Sequence, residues 1–308
     1  MKLRKLIIFN PLIDLEEELL DSKKIGILKA IWIALLFSLI IPVVVQFILL
    51  IACAIVGASL SSYGGINSIT SASKSEYFFL ISSIFTLVAT IFVMCRFFAI
   101  KTNLAFPERK FNKSDIIGII CLILGFRLLF SGSLNHVVSL IPLPKSIEDA
   151  FNNIFQNPLI GLITAIVIAP IQEEFVNRGI ILNGLSKKYS SKVALIVSSL
   201  IFASMHMNLP QGINAFLLGL ILGYIYLKTK SIFLSMMCHS INNILAFMPD
   251  IDSLSNIYLL VSLSIVVVVL GAVLFKIGLK RLDLKNRQIY FDTLRKDNTY
   301  DDEFNINI

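Results

Sequence analysis

Apolar residues along this chain gather in long runs separated by short polar breaks, rather than alternating on the period of a soluble helix or strand. Eight runs stand out, at about 29–60, 77–100, 115–141, 158–185, 193–207, 209–227, 231–248 and 256–277. A membrane-crossing helix needs about 20 such residues. The short alternating segments of a closed β-barrel are absent. The pattern therefore predicts an all-α polytopic membrane protein, a bundle of eight transmembrane helices around a polar intramembrane cavity. The first run is long for one crossing and contains Pro42, which predicts a kink. Gly219 and Gly223 in the sixth run form a small-xxx-small face suited to close helix packing. The eighth run is almost featureless.

The breaks predict the remaining organisation. Residues 1–28 form an N-terminal segment in which Asn10-Pro11 starts a short helix carrying Leu12, Ile13, Leu15, Leu19 and Leu20, lying on the membrane surface or free in solvent. Residues 29–114 hold the first two spans, with a Ser/Gly-rich loop at 61–75 and a basic loop at 101–114. A core at 115–279 holds the rest, including a polar connection at 142–157 with a short helix around 147–155. Residues 280–308 form a charged tail. The first apolar run is too long for a cleavable signal, and no small-residue cleavage site is evident, so it is expected to remain as an anchor.

Composition agrees with the hydropathy. Of 308 residues 56% are hydrophobic and 15% charged, with a mean hydropathy of +0.83, against roughly 25% charged in soluble domains. The net charge of +7 could suggest nucleic acid, but its distribution does not. Lys and Arg concentrate in the N-terminal segment, the 101–114 and 187–192 loops, Lys228/Lys230 and the tail, while the alternate loops hold only Lys74 and Lys145. This positive-inside pattern predicts a multi-pass cell-membrane protein with both termini cytoplasmic and lipids as its surroundings. Cys53, Cys95, Cys121 and Cys238 lie within apolar runs without metal-type spacing, as small buried hydrophobes.

Against this background Glu173-Glu174-Phe175-Val176-Asn177-Arg178 is anomalous. Each ionisable group at the centre of a membrane helix costs about 2.5–3.5 kcal/mol, against about 0.3–0.6 returned by one Leu or Ile. Such groups usually face a cavity and have a task. Glu174 and Arg178 are four apart and pair on one face, whereas Glu173 points roughly 100° away. Glu174 is thus the supporting carboxylate, and Glu173 the unpaired one, suited to general-base work. Phe202 and His206 share a second helical face, and His239 and Asn243 a third. His136 has no motif partner and reads as structural; Arg127 is not assigned to catalysis. One carboxylate, two imidazoles and an amide suit amide hydrolysis: Glu173 takes a proton from water, His206 holds that water, and His239 and Asn243 donate to the oxyanion.

In this order, EExxxR at 173–178, FxxxH at 202–206 and HxxxN at 239–243 resemble the CPBP family of CAAX proteases and bacteriocin-processing (Abi) enzymes, over about residues 115–250. The resemblance implies an intramembrane, metal-independent endopeptidase of the glutamic type with an eight-helix core. Glu173 and His206 would activate water, and His239 and Asn243 would form the oxyanion hole. Many members carry an aromatic before the Arg; here Asn177 stands there, four residues from Glu173 and placed to hydrogen-bond it. The expected substrate is a peptide or a lipid-associated protein tail, without nucleic acid or cofactor. Zinc held by His206, His239 and Glu173 is a legitimate alternative set, ranked lower because Asn243 is a poor ligand and a good donor. Two other classes compete: a non-catalytic membrane immunity or peptide-binding protein, and a proton-coupled transporter using the same groups as a relay, which the lack of internal repeats disfavours.

Overall fold

A computed structural model describes residues 11–60, 76–102, 113–145, 147–149, 157–247 and 256–282. The 61–75 loop, most of the 101–114 loop, most of the 147–155 helix and the tail beyond 282 fall outside them.

The chain is a polytopic all-α membrane protein. Helix α1 (Pro11–Glu16) is followed by a short strand β1 (Leu20–Ser22). Helix α2 starts at Ile27–Leu35, takes a π-helical turn over Leu36–Ile40 and resumes over Ile41–Leu60. The irregular turn falls immediately before Pro42, whose missing N–H interrupts the regular ladder. Then come α3 (Glu76–Phe97), β2 (Ala99–Lys101) and α4 (Lys113–Leu129, continuing as a π turn at Phe130–Leu134 and a last turn at Asn135–Val138). Helix α5 spans Pro158–Ser186 with π segments at Thr164–Ile168 and Phe175–Leu182. Helices α6 (Ser191–Ser204), α7 (Leu209–Thr229), α8 (Ile232–Ala246) and α9 (Ile257–Leu282) complete the described chain.

Six of these, α2, α3, α4, α5, α7 and α9, are long and apolar enough to cross a membrane. The other two apolar helices, α6 and α8, have 14 and 15 residues. At 1.5 Å per residue each reaches only about 22 Å, short of the ~30 Å hydrocarbon thickness. Both carry a histidine motif.

Helix α5 lies at the centre of the bundle. All eight residues of its Phe175–Leu182 segment are buried. Helices α2 and α9 lie outside, with Phe47 64% and Val266 61% exposed; apolar side chains turned outward in this way suit lipid. The eighth run is not featureless. Ser264, Gly271 and Gly278 recur at a seven-residue spacing and meet Gly132, Gly125 and Gly118 of α4 in antiparallel order. A Cβ at Gly125 would lie 2.4 Å from the Phe275 backbone nitrogen, so the two backbones touch where a side chain would part them. Gly219 likewise approaches the Ser199 backbone of α6, and Gly223 makes room for the Leu195 side chain.

Residues 11–25 of the N-terminal segment pack against the protein's own helices. Leu15, Leu20 and Ile25 are buried in the core. Strands β1 and β2 pair antiparallel, Leu20 opposite Lys101, a small β ribbon within an otherwise helical protein. Asp21 accepts from Asn183 Nδ2 (2.8 Å) and from Lys187 Nζ (2.5 Å), and Ile25 N–H donates to Gly184 O (3.1 Å). Residues 11–25 thus form a strap across one end of the bundle.

Candidate active site

Glu174 is the most buried of the described acidic residues, with a side chain 0% exposed. Its Oε1 accepts from Arg178 Nη1 at 3.0 Å, the pairing expected from the four-residue spacing. The same oxygen also lies 2.8 Å from His239 Nδ1 on α8. A carboxylate accepts here, so His239 donates its Nδ1–H, and Nε2 is turned toward the other carboxylate. His239 Nε2 is 3.8 Å from Glu173 Oε2, beyond a direct hydrogen bond. Two adjacent glutamates on α5 therefore face the two nitrogens of one imidazole. The sequence reading had Glu174 serving Arg178 alone; it serves both. Cross-helix partnership of this kind has no signature in spacing along one helix.

Arg178 is itself fixed from three sides. Its Nη2 donates to Gly219 O at 3.2 Å, reaching the carbonyl that α7 presents where glycine allows close approach. Its guanidinium carbon stands 4.7 Å from the centre of the Phe202 ring, a cation–π contact between buried groups. Phe202 also touches both imidazoles. Its ring meets His206 edge-on at 5.2 Å and His239 edge-on at 5.8 Å between centroids. Both imidazoles flank one phenyl ring, held there by packing on three helices.

Helix α6 ends at Ser204, so His206 lies just past its terminus. Its Nδ1 is 3.1 Å from Phe202 O. A carbonyl can only accept, so His206 donates Nδ1–H and satisfies one of the orphan carbonyls at the helix end. That leaves Nε2 as the basic nitrogen.

Asn243 lies one turn beyond His239 on α8. One amide hydrogen goes to Ala165 O at 2.8 Å, in the π segment of α5, where widened turns free carbonyls for outside donors. Asn177 does not hydrogen-bond the Glu173 carboxylate as the spacing allowed. Its Nδ2 donates to the Glu173 backbone carbonyl at 2.9 Å, a back-bond within the distorted helix. Gln172 donates to Thr90 Oγ1 at 3.3 Å. Thr90 ends a buried stripe, Ser82–Thr86–Thr90, along α3. The four-residue spacing of that stripe was visible in the sequence and is the signal that could have placed α3 beside the motif.

Glu173 Oε2, Glu174 Oε2 and Asn177 Oδ1 are buried acceptors without a protein donor among the described residues. Buried acceptors are ordinarily satisfied by water or by a ligand's N–H and O–H groups. Glu173 differs from its twin in access, since its side chain is 24% exposed. Among the described residues no three His, Cys, Asp or Glu side chains converge as a metal-ligand set. His136, outside this cluster, has its Nε2 3.0 Å from Ser264 Oγ.

Comparison with known proteins bears on the same segment. Residues 155–245 match the family model described as type II CAAX prenyl endopeptidase Rce1-like, an interval that holds all three motifs. The chain is also 27% identical over 152 residues to "Putative membrane peptidase YdiL" of Bacillus subtilis (strain 168). That similarity covers 47% of this chain and 62% of the relative, so the chain spans a little under two thirds of the curated protein it matches. No solved structure matches.

Proposed function

We propose that this chain, similar as it is to the type II CAAX prenyl endopeptidase Rce1-like model and to a membrane peptidase, is an intramembrane endopeptidase that hydrolyses a peptide bond with water activated by Glu173. The observation that carries the reading is the pair of glutamates facing one imidazole, with Glu173, the less buried of the two, 3.8 Å from its Nε2. At that separation the two atoms make no direct hydrogen bond, and one water standing beside them could contact both.

In the proposed reaction the Glu173 carboxylate takes a proton from water, and the oxygen attacks the scissile carbonyl carbon. His206 Nε2 accepts a hydrogen bond from the water's other O–H, which stays on the attacking oxygen, and so orients its lone pair. The carbonyl oxygen becomes an oxyanion, stabilised by N–H donors of His239 and Asn243. His239 already gives Nδ1–H to Glu174, so donating from Nε2 requires both protons on the ring; the buried Glu174 carboxylate is the counter-charge for that cation. Collapse of the tetrahedral adduct breaks the C–N bond, and Glu173 returns its proton to the leaving amine. No side chain acts as nucleophile. The substrate is a peptide or lipid-associated protein tail reaching the site within the membrane, and both chain termini lie in the cytoplasm.

The test is cleavage by the full chain in lipid nanodiscs. Two pools of internally quenched peptides serve as probes: one with a prenylated cysteine followed by three C-terminal residues, one without lipid. Wild type is expected to release fragments, and Glu173→Ala, His206→Ala and His239→Ala to lose at least about 100-fold in rate. Undiminished cleavage by all three variants overturns the proposal. Running the assay with a chelator distinguishes water activated by Glu173 alone from a metal-assisted route.

A further inference from the structure

Helix α8 carries His239, and the amides at its start are satisfied in an unusual way. Ser231 Oγ accepts from Leu234 N–H at 3.1 Å, the ordinary N-cap. The two preceding amides are held from outside the helix. Glu16 Oε2 accepts from Ile232 N–H at 2.7 Å and Phe233 N–H at 3.3 Å. Glu16 is more than two hundred residues away in sequence, at the end of α1. A carboxylate at a helix N-terminus meets both the unsatisfied donors and the positive end of the dipole.

The residue before it touches the other catalytic helix. Leu15 is 3% exposed. Its Cδ2 fills the space beside Gly179, where a built Cβ would stand 2.5 Å away. Gly179 follows Arg178 directly in the motif segment. Two consecutive residues of the strap therefore grip the two helices whose side chains meet at the Glu174–His239 contact. At 1.5 Å per residue, the grip on α8 lies about 10 Å below His239, and that on α5 about 8 Å from Glu174. The strap itself is anchored independently through Asp21, Lys187, Asn183 and the β1–β2 ribbon.

We propose that Glu16 is a positioning residue for His239, and that Leu15 and Glu16 together clamp α5 and α8 in the relative register the site needs. The catalytic part of this inference rests on the function proposed above; the clamp itself does not. Removing the carboxylate frees two donors of α8, loosens its first turns and lets His239 drift from Glu174. Substrate binding is not expected to change, because Glu16 lies at the helix end and not among the site groups.

The experiment uses the full chain in nanodiscs, comparing wild type, Glu16→Ala and Glu16→Gln by amide hydrogen exchange and by cleavage of the peptide pools named above. Gln keeps an acceptor oxygen where Ala has none. Glu16→Ala is expected to speed exchange across 232–239 by about 5- to 10-fold, the scale of one lost cap, and to lower kcat by about tenfold with KM unchanged. Glu16→Gln is expected to recover most of both. Wild-type exchange and kcat in Glu16→Ala overturn the proposal, as does Glu16→Gln behaving like Glu16→Ala. If Glu16→Ala cannot be obtained folded, Glu16→Asp, which withdraws the carboxylate by one methylene, carries the same comparison with the same signs. The exchange measurement needs no substrate, so faster exchange in Glu16→Ala beside a wild type that cleaves nothing supports the clamp and counts against the proposed function alone.

Discussion

Glu174 holds two partners with one oxygen, and this separates stability from catalysis in a measurable way. Replacing it by Leu leaves the Arg178 guanidinium, 3% exposed in its side chain, without its ion-pair partner. Breaking a buried ion pair from one side costs about 3–5 kcal/mol. Arg178→Met leaves the buried Glu174 carboxylate with the His239 N–H as its remaining donor, at up to about the same cost. If the two sites were independent, the double variant would lose about 6–10 kcal/mol, the sum of those figures. The structure predicts much less. With both charges gone and apolar side chains of similar volume in their place, the ion-pair term is close to neutral. What remains is the His239 Nδ1–H, which loses its acceptor, at about 1–3 kcal/mol. Reversible unfolding of the purified protein in mixed detergent micelles should therefore find the double variant more stable than either single one. Peptide cleavage should not follow that recovery, since His239 is no longer oriented. Additive losses in the unfolding cycle would refute the coupling read from the 3.0 Å contact, and cleavage restored along with stability would refute the orienting role of Glu174.

Two further outcomes are expected. Gly125→Ala places a methyl group 2.4–2.8 Å from backbone atoms of α9 that cannot turn aside, so a loss of about 1–3 kcal/mol is expected in the same unfolding assay; at Gly212, where the nearest atom to a built Cβ is 3.5 Å away, Ala should leave stability nearly unchanged. Phe202→Leu keeps apolar bulk but removes the ring that Arg178 and both imidazoles face; a stability loss of about 0.5–2 kcal/mol with a disproportionate fall in cleavage rate is expected, and unchanged rates would return Phe202 to simple packing.

Much of the site was legible because membrane sequences make polar groups conspicuous. Glu173, Glu174, Arg178, His206, His239 and Asn243 stand out from apolar surroundings, and four-residue spacing correctly paired Glu174 with Arg178. The same spacing rule misdirected Asn177, because the rule assigns a face of a regular helix and says nothing about which atom on that face is reached. Here the helix is π-distorted and the backbone carbonyl of Glu173 is the acceptor. The seven-residue glycine spacing of α4 and α9 was also available, but small residues count only when a partner helix is known to carry the complementary set.

The strap shows the division most plainly. Its apolar positions, Leu15 and Leu20 among them, were read as a short helix on a membrane surface or in solvent, which rests on local order alone. Whether such a face meets lipid, water or the protein's own helices depends on what lies opposite, and that is decided by contacts between residues far apart in the chain. Hydropathy and charge by themselves determined a helical membrane protein and singled out its intramembrane polar groups, because burying ions and backbone in lipid admits few alternatives. Only the tertiary structure decided that one glutamate would hold both an arginine and a histidine, and that the end of the first helix would cap the helix bearing that histidine, because hydrogen-bond geometry is specified across helices and not along them.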